Sequence, residues 1–404
     1  TFTVTFDPTA AGKRMTIISI ANNDTDENPY TFAIEGYGGR PFITTWNAGF
    51  ITIPTTGTGY NYDVDWNNDG IYDEFGVTGN ATHNYSTAGT YTVAIRGSFP
   101  RIFFDNDGTN NEQLLSLVQW GDIDWKSMQR AFYGCNNLQI NANDTPDLDD
   151  VTDMSGMFTS ISAINQDITG WEVGHVTNMG SLFGGVNSFN QDISGWNVGN
   201  VTNMSSMFAG TAFNQDISGW NISNVLYMGG MFGQSPFNKN ISGWDVSNVM
   251  NMSLMFSQST AFNQDIGAWN VANVTDMSNM FFGATSFNQS LAAWGTKFNA
   301  NVNLTNFLDN CGMNVANYDV TLTGFRAGTV TGRTMGAAGL QYCASAADRV
   351  HLVLATGSGG KGWTISNDAQ TTSCLSADIN LKGNTITIDN SDTTPSITDH
   401  TDFG

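Results

Sequence analysis

The turn DWNNDGIYDE carries the densest set of oxygen donors in the sequence. Asp65, Asn67, Asp69 and Asp73 stand at offsets 1, 3, 5 and 9, with Gly70 at offset 6 and the Ile71 carbonyl at offset 7. Hard oxygen ligands around a sharp glycine turn are what a calcium ion selects. The bidentate glutamate that such a loop uses at offset 12 is replaced by Gly76, and Asp63 and Glu74 are the nearest substitutes. The same residues also describe an ion-free turn whose Asp and Asn side chains accept from their own backbone. Calcium at Asp65, Asn67, Asp69, Ile71 and Asp73 is the expectation to test.

Other chemistry is sparse. GSGGKG (357–362) matches a phosphate-cradling pattern through Gly357, Gly359 and Gly362, but a strand-like GWTIS follows it where a helix would be required, and no Ser or Thr follows Lys361. The four histidines, His83, His175, His351 and His400, are scattered and fit neither HExxH nor a triad. Acidic pairs such as Asp149 and Asp150 sit in turns, without a sign of two carboxylates facing across a cleft. No catalytic residue is assigned, and no enzyme activity is expected. With 36 acids against 14 bases, the net charge of −22 argues against nucleic acid and anionic membrane as partners. No apolar run approaches the roughly 20 residues that span a bilayer.

What must position these side chains is a repeat. Met-x-x-Met-Phe and its variants place Phe at 158, 183, 208, 232, 256 and 281, in steps of 24 or 25. Trp171, Trp196, Trp220, Trp244, Trp269 and Trp294 keep the same steps. Degenerate turns at Met128/Phe132 and Leu304/Leu308 bring the count to eight. A turn of this size cannot bury its own apolar side, whereas stacked turns share a continuous core. The NQDISGW segments are expected to form a parallel sheet, and MSSMF one helical or 3₁₀ turn opposite; the stack would then be roughly 33–34 Å long.

The segment FNQDISGWNVGNVTNMSSMF (189–208) and its neighbours resemble the BspA-like leucine-rich-repeat surface proteins, in the short-unit form of mycoplasmas and marine Bacteroidetes. The resemblance implies a leucine-rich-repeat-like solenoid, extracellular display and adhesion. Residues 40–115 resemble a PKD-type β-sandwich, whose closing signature is matched by His83, Tyr85, Gly89, Tyr91, Val93 and Ile95; His83 is read as a packing or hydrogen-bonding residue. The segments 2–38 and 379–404 resemble the closing and opening strands of HYDIN-type immunoglobulin-like modules, which implies modules in series and, in Bacteroidetes, often type IX export.

The expected fold is therefore mainly β. An immunoglobulin-like end spans 1–39, a PKD-like sandwich 40–115, the solenoid 116–310, its cap 311–376 with a helix near Ser345–Leu354, and a second immunoglobulin-like opening 377–404. The Asn columns (165, 190, 214, 238, 263 and 288; 200, 224, 248 and 273) are read as backbone-satisfying ladders. Asp167, Asp192, Asp216 and Asp265 form either a cation- or ligand-binding stripe or a solvated face. The Trp and Met columns are read as core, with a few Trp on an open face as the route to glycan binding. Cys343 and Cys374 are expected to pair, and Cys135 and Cys311 are not. The expected function is a non-catalytic structural or adhesive segment of a large secreted bacterial cell-surface protein. Its partners would be surface glycans, proteins or further copies of itself. A self-assembling filament subunit and an accessory region of a glycan-degrading enzyme are the alternatives. Half-sandwich ends would need completion from outside the chain, with strand edges at Thr1–Asp7 and Ile386–Ile388.

Overall fold

The computed structural model describes residues 12–371, apart from Thr25, Glu27, Asn106, Asp107, Thr109, Ala163 and Asn165. The chain is mainly β, with few helices. Strands β1 (Gly12–Ile20) and β2 (Tyr30–Gly38) form an antiparallel hairpin. Strands β3 (Phe42–Ile53), β4 (Asn61–Asp65), β5 (Glu74–Val77), β6 (Ala81–Ser98), β7 (Leu114–Gln119) and β8 (Gln139–Ile140) join in one sheet of order β5-β4-β6-β3-β7-β8. A short helix α1 (Asn110–Gln113) precedes β7.

Strand β3 shows how the sequence builds this sheet. Phe42, Thr44, Trp46 and Ala48 point inward with period two; after a bulge between Ala48 and Phe50 the buried set becomes Ile51 and Ile53. One extra residue reverses the facing of everything beyond it. Buried Thr44 is satisfied by accepting from the Trp46 indole N–H at 2.8 Å. The apolar face packs on the connecting segment and the first repeat turn: Phe42 meets Phe99 and Trp125, and Trp46 meets Phe104. Strand β8 belongs to the first turns and pairs in parallel with β7, so the sheet runs across the 115/116 boundary. One buried core extends from Phe42 to Ile365.

Within the repeats, the expected geometry is corrected. NQDISGW forms no strand among the described residues; the parallel bridges join Asp153, Asn178, Asn203, Tyr227, Asn251, Asp276 and Asn303, each just before the first Met of its turn or, at Asn303, before Leu304. From there alternate amides donate to the following turn: Met204 N to Tyr227 O (2.8 Å), Ser206 N to Gly229 O (2.8 Å), Phe208 N to Met231 O (3.0 Å) and Gly210 N to Gly233 O (2.8 Å). Met-x-x-Met-Phe is thus the hydrogen-bonded column rather than a helical turn. The reason is left-handed backbone at two places per turn, such as Ser206 (φ 55°) and Gly210 (φ 65°), which breaks any helix and turns alternate N–H groups outward. Inside, Phe132, Phe158, Phe183, Phe208, Phe232, Phe256 and Phe281 stack at 5.8–6.1 Å between ring centroids.

The column is closed at both ends. At the first turn, the Arg101 guanidinium donates to Gln129 O and Phe104 N to Arg130 O. At the last, Leu308 N and Asn310 N donate to Gly336 O and Ala338 O, next to β9 (Thr334–Gly336). Helix α2 (Val315–Ala327) lies on the final turn so closely that a Cβ at Gly295 would sit 2.1 Å from Gly324 O. The remaining elements, β10 (Gln341–Tyr342), α3 (Ala346–Val353), β11 (Thr364–Ser366) and β12 (Ala369–Gln370), complete the cap. Helix α3 lies where the sequence places it. Cys343 is disulfide-bonded, and Cys374 lies outside the described residues. Cys135 and Cys311 are buried and not bridged; desolvation pushes the Cys311 thiol up to about 11. The strand edges at Thr1–Asp7 and Ile386–Ile388 also lie outside the described residues.

Candidate functional site

The Asp65 turn is set at the end of β4, where the chain leaves the sheet. Asp65 is 1% exposed, and its carboxylate accepts from the N–H groups of Asn67 (3.2 Å), Asp69 (3.3 Å) and Gly70 (2.8 Å). Asp69 accepts from Ile71 N, and Asp73 reaches back to Trp66 N at 2.8 Å. Gly70 adopts φ +89°, which the sharp turn requires. The two candidate substitutes for the missing glutamate are engaged elsewhere. Asp63 pairs with Arg96 at 3.1 Å, and Glu74 accepts from the Trp66 indole. Among the described residues no group of three or more His, Cys, Asp or Glu is gathered to hold a metal ion. His83 stacks on Trp66 at 5.1 Å and meets Tyr85 edge-on, as a packing residue.

The polar columns of the stack are used on its own backbone. Asn214, Asn238, Asn263 and Asn288 each donate their N–H to the side-chain oxygen of the Asn one turn earlier, at 2.8–3.0 Å. Asn200, Asn224, Asn248 and Asn273 donate their side-chain amides to carbonyls of the preceding turn. Asp167, Asp192 and Asp216 accept from the N–H two residues on, which holds these carboxyls below their usual range. Asn240 makes the same bond at 3.0 Å without a charge. The Trp ladder is buried, so the open-face glycan route through Trp is corrected: from Trp196 to Trp294 each indole N–H donates to an isoleucine carbonyl one turn back.

A different feature was not read from the sequence. Beside the first turns lies a groove of about 380 Å³. It is lined by Phe103, Gln129, Arg130 and Tyr133 and by the smaller residues Ser155, Gly156, Thr159, Gly180 and Ser181. Arg130 lies 5.4 Å above the Tyr133 ring and pairs with Asp105. A second groove of about 400 Å³, between Gly185 and Ser257, is also lined mostly by small residues and reaches Leu254, which is 48% exposed. The legible signal would have been size. The positions after the first Met hold Gln129 and Arg130 in one turn, but Ser155 and Gly156, then Gly180 and Ser181, in the next two.

Comparison with known proteins gives one family. A model described as "Mycoplasma protein of unknown function, DUF285" matches residues 126–236 and again 211–318, which covers the repeats. The chain is similar to that family there, in line with the mycoplasma side of the repeat resemblance. No curated protein and no solved structure matches.

Proposed function

We propose that this chain is a non-catalytic structural and adhesive segment of a large secreted bacterial cell-surface protein. In this reading the stack is a leucine-rich-repeat-like solenoid, residues 40–115 are a PKD-like module, and the two ends belong to immunoglobulin-like modules. The observation that carries it is the single core from Phe42 to Ile365, capped at both ends, which presents the grooved face on a rigid support. Repeat architectures of this sort offer extended recognition surfaces that catalysis does not require. No helix among the described residues is long and apolar enough to cross a membrane.

Calcium belongs to the same proposal. Asp65 is a buried carboxylate that accepts only from backbone amides among the described residues, and Asn67 and the Ile71 carbonyl add neutral oxygens. A rise in melting temperature with calcium, absent in Asp65→Ala, is the expected result. No calcium-dependent shift would reduce the loop to a turn.

A self-assembling role is favoured by one feature, the hairpin β1–β2, which leaves Met15, Ile17 and Tyr30 more than half exposed. The adhesive reading is tested by immobilising the full chain and measuring retention of intact bacterial and eukaryotic cells. Specific retention supports it. Absence of retention together with concentration-dependent polymers in sedimentation favours the filament, and turnover of a glycan or peptide by the pure chain sinks the non-catalytic reading.

A further inference from the structure

We infer that the groove beside the first turns binds an uncharged saccharide chain, an assignment that rests on the adhesive reading and deepens it. The first observation is which groups are already committed. Arg130 N, Gly156 N and Ser181 N donate to carbonyls of the next turn at 2.7–2.9 Å, and Ser155 N and Gly180 N to the side chains of Asp153 and Asn178. The carbonyls of Arg130, Ser155, Gly156, Gly180 and Ser181 accept within the same column. An extended peptide that binds by adding a strand needs open backbone partners, and this lining offers none.

Recognition must therefore pass through side chains. Ser155, Ser181, Gln129 and Tyr133 are half-buried, and neither the two serine hydroxyls, the Gln129 amide nitrogen nor the Tyr133 hydroxyl donates to any described residue. The rings of Tyr133 and Phe103 lie beside these groups, with the Arg130 and Arg101 guanidinium groups over one side of each at 5.4 and 4.5 Å. That pairing suits a sugar ring, which presents a C–H face to an aromatic plane and hydroxyls around its rim. Charge selects further. Arg130 is already met by Asp105, Arg101 is spent on Gln129 and lies over the Phe103 ring, and the chain as a whole carries −22, so an acidic ligand is disfavoured here. Gly156 and Gly180 are themselves buried, under Arg130 and Asn203, so a saccharide would meet side chains here rather than bare backbone.

The test is native affinity electrophoresis of the full chain through gels containing dextran, laminarin, mannan or xylan, with polygalacturonate and gelatin as the acidic and extended-peptide comparisons. At least one neutral polysaccharide should retard the chain. Tyr133→Ala should weaken that binding about tenfold or more, whereas Tyr133→Phe, which keeps the ring, should retain most of it. No retardation by any neutral polysaccharide, equal retardation of Tyr133→Ala, or retardation by gelatin alone overturns the assignment. Cell retention measured on the same variants separates the two readings. If Tyr133→Ala still holds cells as the parent does, the groove assignment fails and the adhesive reading stands. If the parent holds no cells, the adhesive reading fails with it.

Discussion

Inside the stack most contacts are copies, and at its two ends few are. Phe208, Phe232 and Phe256 repeat one ring stacking at 5.8 Å, and the Trp-to-Ile and Asn-to-Asn bonds recur with it. The C-terminal cap instead relies on groups used once. Asp319 accepts from the N–H groups of Cys343, Ala344 and Ser345, while Arg349 grips Asp368 with two bonds and Tyr318 adds a third. At the other end Arg40 bridges Asp122 and Asp144. The difference has a physical source. A copied contact needs an identical neighbour, and the terminal turns lack one. Trp171, first of its ladder, has an indole N–H without a partner among the described residues. Ends are therefore closed by charged and capping side chains that need no copy.

The comparison predicts where damage is greatest. Asp368 has no exposed side-chain surface, so Asp368→Ala would leave the largely buried Arg349 cation without its carboxylate. A loss of about 3–5 kcal/mol in urea unfolding is expected, and a loss under about 1 kcal/mol would show that the cap is not held this way. Phe208→Ala, in a fully buried column, should cost about 3 kcal/mol or more. Neighbouring turns should register this loss more than distant ones in hydrogen exchange; uniform loss along the chain would break the nearest-neighbour picture.

Asp319 predicts a pH dependence. Burial raises its pKa, but the three amides and the Ser345 hydroxyl outweigh burial and hold the carboxyl below its usual value. A depressed folded-state pKa means stability that is present above the unfolded carboxylate pKa, about 3.9. It is lost as pH falls through the folded value. Asp319→Asn should lower stability at neutral pH by about 2 kcal/mol and flatten the acid limb. An unchanged limb would remove Asp319 from the account. The smallest effect belongs to a copied polar contact: Asn238→Ala, which loses bonds to Asn263 N and the Gln264 amide, should cost about 1–2 kcal/mol.

Legibility follows the same division. The core columns could be read from spacing because repetition multiplies a weak signal six- to eightfold. The Asn ladders could be read for the same reason. The bonded segment was placed on the wrong side because left-handed backbone is held by Ser181, Leu254 and Gln258, residues that do not announce it. Helix α2 was missed because Val315, Val320, Thr321 and Thr323 argue for strand, whereas burial of Tyr318, Leu322 and Phe325 on the last turn decides for helix. The groove is a departure from the repeat at Gln129, Arg130 and Tyr133, and the consensus conceals departures.

The central claim is that the repeated polar columns serve the fold while the irregular groove serves recognition. Asn240 shows that Asn can replace Asp in the column without loss of its turn. Full chains carrying Asp167→Asn, Asp192→Asn, Asp216→Asn and Asp265→Asn together should therefore fold normally and hold cells as well as the parent, while Tyr133→Ala should hold few. Loss of cell retention in the folded four-site variant, with retention intact in Tyr133→Ala, would reverse the assignment and make the acidic column the binding surface.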